Sequence, residues 1–176
     1  MAALAACGGG EGLGVNVTQF KTSRATAGSS TPRLEADLIT GNTCTAGVPA
    51  EGTLTTESIS FTVSTVASTS NPLPISITGY TVSFTPKNSG TPAMGDITSS
   101  YSVANITPGQ SVTIPVSVIT DVRKLEMITA DSTLPCSLTI YQYDVTVKFH
   151  AAEVGSGDSS KDIVAGMVLA VADRNN

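Results

Sequence analysis

Apolar and polar residues alternate along most of this chain with a period of two, the spacing that places every second side chain on one face of a β-strand. Leu34, Ala36 and Leu38 alternate with Glu35 and Asp37 before the turn residues Thr40, Gly41 and Asn42 end the run. Ile59, Phe61 and Val63 alternate with serines and threonines, which predicts a strand with one wetted face. In ISITGYTVSFTP (75–86) the apolar parity changes across Gly79, and an isolated glycine at such a change predicts a β-bulge. The stretch 86–96 is dense in turn residues and reads as a loop. After Pro108-Gly109, Val112, Ile114, Val116 and Val118 share a face, while Pro115 cannot donate to a ladder and so predicts a sheet edge. Tyr141, Tyr143, Val145, Val147 and Phe149 form the clearest half-buried strand.

Two stretches have a helical alternative. DVRKLEMI (121–128) begins with Asp121 as N-cap candidate and spaces Val122, Leu125 and Ile128 as one apolar helical face, predicting a short helix or turn near 121–129. IVAGMVLAVA (163–172) mixes helix formers with Val and Ile; the need to close a sandwich favours a last strand buried on both faces. About seven or eight short strands at roughly ten-residue intervals predict an all-β, immunoglobulin-like β-sandwich over residues 33–173, with a jelly roll as the alternative.

The stretch 8–32 is rich in glycine and small polar residues and reads as a flexible tether with little apolar surface to offset its ordering entropy. One island interrupts it at 13–20, where Leu13, Val15 and Val17 fall on one side of an extended segment. That island is either a first strand or a strand that pairs elsewhere.

Composition narrows the function classes. The chain has 176 residues, 13% charged and 40% hydrophobic, which suits one β-rich domain. Nine basic and fourteen acidic residues give a net charge of -5 with no basic stripe, so nucleic acid is not an expected partner. With no Trp and 5% aromatic residues, a stacking platform for sugars is not expected. No apolar stretch reaches the roughly 18 residues needed to span a bilayer.

Candidate chemistry is sparse. The single histidine, His150, falls on the polar face of its strand and reads as a solvated residue, since no GxSxG elbow or comparable motif supplies a nucleophile. Asp158 and Asp162 could ligate calcium from the loop GSGDSSKD, although the EF-hand spacing is absent and a solvated loop is the simpler reading. Three cysteines and one histidine supply too few ligands for a zinc site. Asn16 and Asn105 each begin a glycosylation sequon, a pattern short enough to arise by chance. No catalytic residue, metal or cofactor is expected.

The first residues carry a resemblance. Leu4-Ala5-Ala6-Cys7 resembles the bacterial lipobox, in which a cysteine is lipidated and becomes the new N-terminus, and the glycines at 8–12 look like the tether that follows it. Residues 1–7 then read as the remnant of a lipoprotein signal, although MAALAAC is too short for a charged n-region and an apolar h-region. Further on, ITGYTVSFTPKNSG (77–90), ITPGQSVTIPVSVI (106–119), RKLEM (123–127) and YDVTVKFHAAEVGSG (143–157) are similar to the body of small bacterial surface lipoproteins with fibronectin- or immunoglobulin-like domains, a family largely without assigned activity.

With Cys7 assigned to lipidation, Cys44 and Cys136 remain as an extracytoplasmic disulfide candidate, against the alternative of two buried free thiols. The implied function is a non-enzymatic envelope or surface lipoprotein, held to the bacterial outer membrane or cell surface by a lipid on Cys7 and acting as a binding or structural module. The alternative is a filament subunit, self-associating by donation of strand 13–20, with Leu13, Val15 and Val17, to a neighbouring sandwich.

Overall fold

The computed structural model describes residues 16–45, 47–157 and 159–174, without the side chains of 48–50 and 101–104. Cys7, Leu13, Val15 and Asp158 therefore lie outside the described residues.

Among the described residues the strands, in chain order, are β1 (Thr18–Gln19), β2 (Ser23–Gly28), β3 (Arg33–Asp37), β4 (Thr43–Thr45), β5 (Val48–Ala50), β6 (Glu57–Ala67), β7 (Ile75–Pro86), β8 (Ile97–Ile106), β9 (Ser111–Ile119), β10 (Tyr141–Glu153) and β11 (Ser160–Ala172), with one helix, α1 (Asp121–Ala130), before β10. One sheet has the order β1-β2-β6-β9, the other β3-β11-β10-β7-β8, and β4-β5 is a small separate ribbon. The two main sheets pack as a sandwich with no closed barrel. Their order, with β3 parallel to β11 at one edge while its neighbours are antiparallel, is immunoglobulin-like rather than that of a jelly roll.

The period-two pattern explains the core. Phe61 of β6 meets Phe149 of β10 edge-on at 5.7 Å between ring centroids, so one aromatic contact joins the two sheets. Tyr80 packs on the same Phe149 ring at 6.3 Å, and Phe84 on Tyr143 at 6.1 Å. The residues 163–172 lie within β11, as expected for a closing strand between β3 and β10. Pro115 sits on β9, an edge strand. Thr78 is the extra residue of a bulge: Ile77 pairs with Ala151 and Gly79 with His150. A Cβ on Gly79 would lie 2.5 Å from the Ser99 carbonyl oxygen, so glycine is needed there for close strand approach.

Three expectations are corrected. The sandwich starts before residue 33: within the stretch read as a tether, Ser23, Ala25 and Ala27 are buried on β2, where small side chains make an inward face with little hydropathy signal. In the island 13–20 the described residues hold a two-residue strand, with Val17 59% exposed and Phe20 buried, so Val17 does not face the core of its own sandwich. The helix is capped by Thr120, not Asp121, and it turns Lys124 and Met127 inward while Val122 and Leu125 stay 57% and 55% exposed. The physical reason for that rotation lies in the partners that Lys124 finds.

Candidate functional site

Four clusters carry the polar chemistry of the sandwich. The first surrounds the cysteines. Cys44, on β4, and Cys136, in the connection from α1 to β10, form a disulfide across 92 residues of chain. The Asp173 carboxylate, nine-tenths buried just after β11, holds this region: it accepts from the Asn42 side-chain amide at 3.0 Å on each oxygen and from the Cys136 backbone N–H. Cys136 adopts a positive φ of 60°, a region that costs a non-glycine residue energy unless its surroundings fix it. The disulfide and Asp173 supply that fixing. The two sulfurs and Asp173 lie close enough to suggest a metal centre, but sulfurs bonded to each other leave one carboxylate to offer a cation.

The second cluster protects an edge. Pro32 and Leu38 bond their backbone to β11, which turns the N–H and C=O of Asp37 away from the sheet. There the Lys124 ammonium donates to the Asp37 carbonyl at 2.5 Å and to Glu57 Oε1 at 2.8 Å, and the same Glu57 oxygen accepts from the Asp37 N–H at 3.2 Å. An ion pair thus occupies the positions that a further strand would take. It also accounts for a lysine, rather than Leu125, facing inward.

The third cluster lies on the outer face of the β7-β10-β11 sheet. His150 Nδ1 and Asp162 Oδ1 are 2.8 Å apart, and His150 Nε2 lies 2.9 Å from Thr81 Oγ1. The His150 backbone carbonyl accepts from the bulged Thr78 hydroxyl, and an open cavity of about 520 Å³ adjoins His150, Lys161 and Asp162. His150 is therefore a cross-strand bridge rather than a merely solvated side chain. Asp162 sits within β11, not in a calcium loop. Hydroxyl, imidazole and carboxylate stand in a row, with Thr81 on β7, a strand bonded to β10 and β8 on its two sides. What the arrangement does chemically is tie three strands together.

The fourth cluster holds the N-terminal segment. The Asn16 N–H donates to the Val164 carbonyl at 3.2 Å, Thr18 Oγ1 to the Asp162 carbonyl at 2.8 Å, and Lys161 Nζ to the Gln19 carbonyl at 2.6 Å. Residues 16–19 therefore run antiparallel along the β11 edge that β3 leaves uncovered, while Thr18 and Gln19 pair with β2. Immediately after them the chain is pinned: buried Glu153 accepts from the backbone N–H of Lys21 at 3.1 Å and of Thr22 at 2.9 Å, and from the Thr22 hydroxyl. Burial pushes the Glu153 carboxyl up, but these hydrogen bonds to the ionised form outweigh it and hold the group below the ordinary carboxylate value of 4.5.

Comparison with protein-family models, with curated proteins and with solved structures finds no match for this chain.

Of the residues singled out by sequence, the structure joins Cys44 to Cys136 and leaves Val17 exposed at the β11 edge. Sequence reasoning missed Lys124 with Glu57, Asp173 with Asn42, and His150 with Asp162. Only the last pair had a usable signal, because β10 and β11 form a short hairpin whose register sets His150 opposite Asp162.

Proposed function

We propose that this chain is a non-enzymatic, extracytoplasmic immunoglobulin-like module of a bacterial envelope, held to a membrane through a lipid on Cys7. The observation that carries the reading is the disulfide between Cys44 and Cys136. It consumes two of the three cysteines and is compatible with an oxidising compartment, which supports the reading. The remaining cysteine is the one that follows Leu4-Ala5-Ala6, the lipobox-like run. A sandwich whose described polar clusters tie strands together, rather than converge on a substrate, supports a structural or binding role over catalysis. Growth of the host with an alkyne-bearing fatty acid tests the anchor: label should appear on this protein and vanish in Cys7→Ser, and a wild-type protein without label contradicts the reading.

A specific observation favours a second reading, strand donation between copies. The segment 16–19 holds β11 by one backbone bond and two side-chain bonds and pairs with β2 through Thr18 and Gln19, contacts that a neighbour's equivalent segment can remake one for one, with Phe20 and the Glu153-bound turn as the fixed base. Deleting residues 8–19 removes the donated segment, leaves β2 intact and tests this. Assemblies that persist at full strength without those residues overturn donation.

A further inference from the structure

The cluster around the disulfide holds more ligand atoms than its oxidised form uses. Cys44 Sγ, Cys136 Sγ and an oxygen of the buried Asp173 carboxylate all lie within 4.8 Å of one another. Asn42 is fully buried at the same place. Its amide nitrogen lies 3.7 Å from Cys44 Sγ and 3.0 Å from each Asp173 oxygen, while its Oδ1 has no hydrogen-bond partner. A buried oxygen without a donor costs free energy, and a cation is a partner that such an oxygen can take. Both cysteines are only half-buried, so a small thiol and an ion have access to them.

We infer that this cluster is a redox-gated site for a borderline-soft divalent cation of the zinc type, closed while the disulfide stands and opened by its reduction. The ligands are Cys44 and Cys136 as thiolates, Asp173 through one carboxylate oxygen and Asn42 through Oδ1. First, a dithiol reductant supplies two electrons and two protons: the S–S bond breaks, each cysteine becomes a thiol, and the reductant closes to its own disulfide. Then the cation forms two metal–sulfur bonds and two protons are released. Zinc–sulfur bonds of about 2.3 Å in a tetrahedron hold two sulfurs about 3.8 Å apart. The two Cα atoms are 5.6 Å apart, a spacing from which rotation of the side chains reaches that separation. In the disulfide form Asn42 turns its NH2 group to the Asp173 anion. A divalent ion bound to Asp173 removes that demand, and reversing the amide puts its oxygen where the NH2 group was. Thiolates select such an ion over calcium or magnesium. A count of cysteine and histidine misses the site, because its two oxygen ligands come from segments 131 residues apart. The ion then holds β4 to the α1–β10 connection in place of the covalent bond. The site lies outside the envelope reading and does not involve Cys7.

Titration of the full chain with Co²⁺ tests the site, using Cys7→Ser to remove the third thiol and a phosphine as reductant under argon. The reduced chain should bind one equivalent with the absorption bands of tetrahedral, thiolate-bound cobalt, and Zn²⁺ should displace it. The oxidised chain should show no such bands. Asp173→Asn and Asn42→Ala should each weaken binding at least about tenfold while the thiolate band remains at saturation. A second measurement needs no ligand variant: Zn²⁺ should raise the urea midpoint of the reduced, metal-free chain, and should leave that of Cys44→Ser with Cys136→Ser unmoved. A reduced chain that takes up no cobalt overturns the inference. So does an affinity that both oxygen variants leave unchanged, because two thiols alone then bind the ion, and so does a reduced midpoint that zinc does not raise.

Discussion

Lys124 Nζ and Glu57 Oε1 stand 2.8 Å apart at the outer edge of β3, and between them they occupy both backbone groups that Asp37 turns away from the sheet. Lys124 is fully buried and Glu57 is not. Replacing Lys124 by Met therefore strands a carboxylate and a carbonyl together, a loss of about 3 kcal/mol by analogy with other broken buried pairs. The expected outcome is a lower urea midpoint with an unchanged m-value. Glu57→Gln, which keeps an acceptor for the ammonium, should cost less.

The disulfide closes a 92-residue loop, for which chain entropy gives about 4–5 kcal/mol of stabilisation. Cys44→Ser with Cys136→Ser should lower stability by up to that amount in denaturant titration, and reductant should reproduce the shift in the wild type. Asp173→Asn replaces an acceptor that serves both the Asn42 amide and the Cys136 N–H, so it should destabilise the same region while the disulfide still forms.

Gly79→Ala forces a Cβ to within 2.5 Å of a backbone oxygen, which cannot move as a side-chain end would. An expected cost of about 1–3 kcal/mol follows from overpacking between paired strands. The bulge at Thr78 should also loosen, and weaker amide-exchange protection along β8 reports it.

Acid dependence follows from Glu153. Its folded carboxyl titrates below the ordinary 4.5 because backbone and side-chain donors from Thr22 and Lys21 favour the ionised form over the penalty of burial. Its stabilising contribution is therefore complete above the unfolded value and disappears as pH falls through the lowered folded value. Thermal melts recorded from neutral pH downward should fall in the acid range, and Glu153→Gln should flatten that limb while lowering the melting temperature at neutral pH. A wild-type-like acid limb in the variant contradicts the assignment.

Where side chains alternate by hydropathy, the strands follow from sequence: Ile59, Phe61 and Val63 on β6, or Tyr141 through Phe149 on β10, are inward in the structure as their spacing requires. The bulge near Gly79 and the edge position of Pro115 also follow, because each residue type tolerates few backbone settings. β2 does not follow, since Ala25 and Ala27 give buried positions without a strong apolar signal. The helix face fails for a different reason. Hydropathy ranks Lys124 as the outward residue, and the outward backbone of Asp37 together with the Glu57 carboxylate, both distant in sequence, makes burial of its ammonium favourable. Pairing of Cys44 with Cys136 was accessible by count once Cys7 was set aside, whereas the Asp173 and Asn42 supports depend on contacts between segments about 130 residues apart.

Intact mass of the protein taken from the membranes of its native host, measured without reduction, tests the proposed role most directly. A chain that starts at Cys7, carries acyl groups and is two hydrogens lighter than its reduced form is the predicted result. A chain that starts at Met1 with no lipid on Cys7 contradicts it.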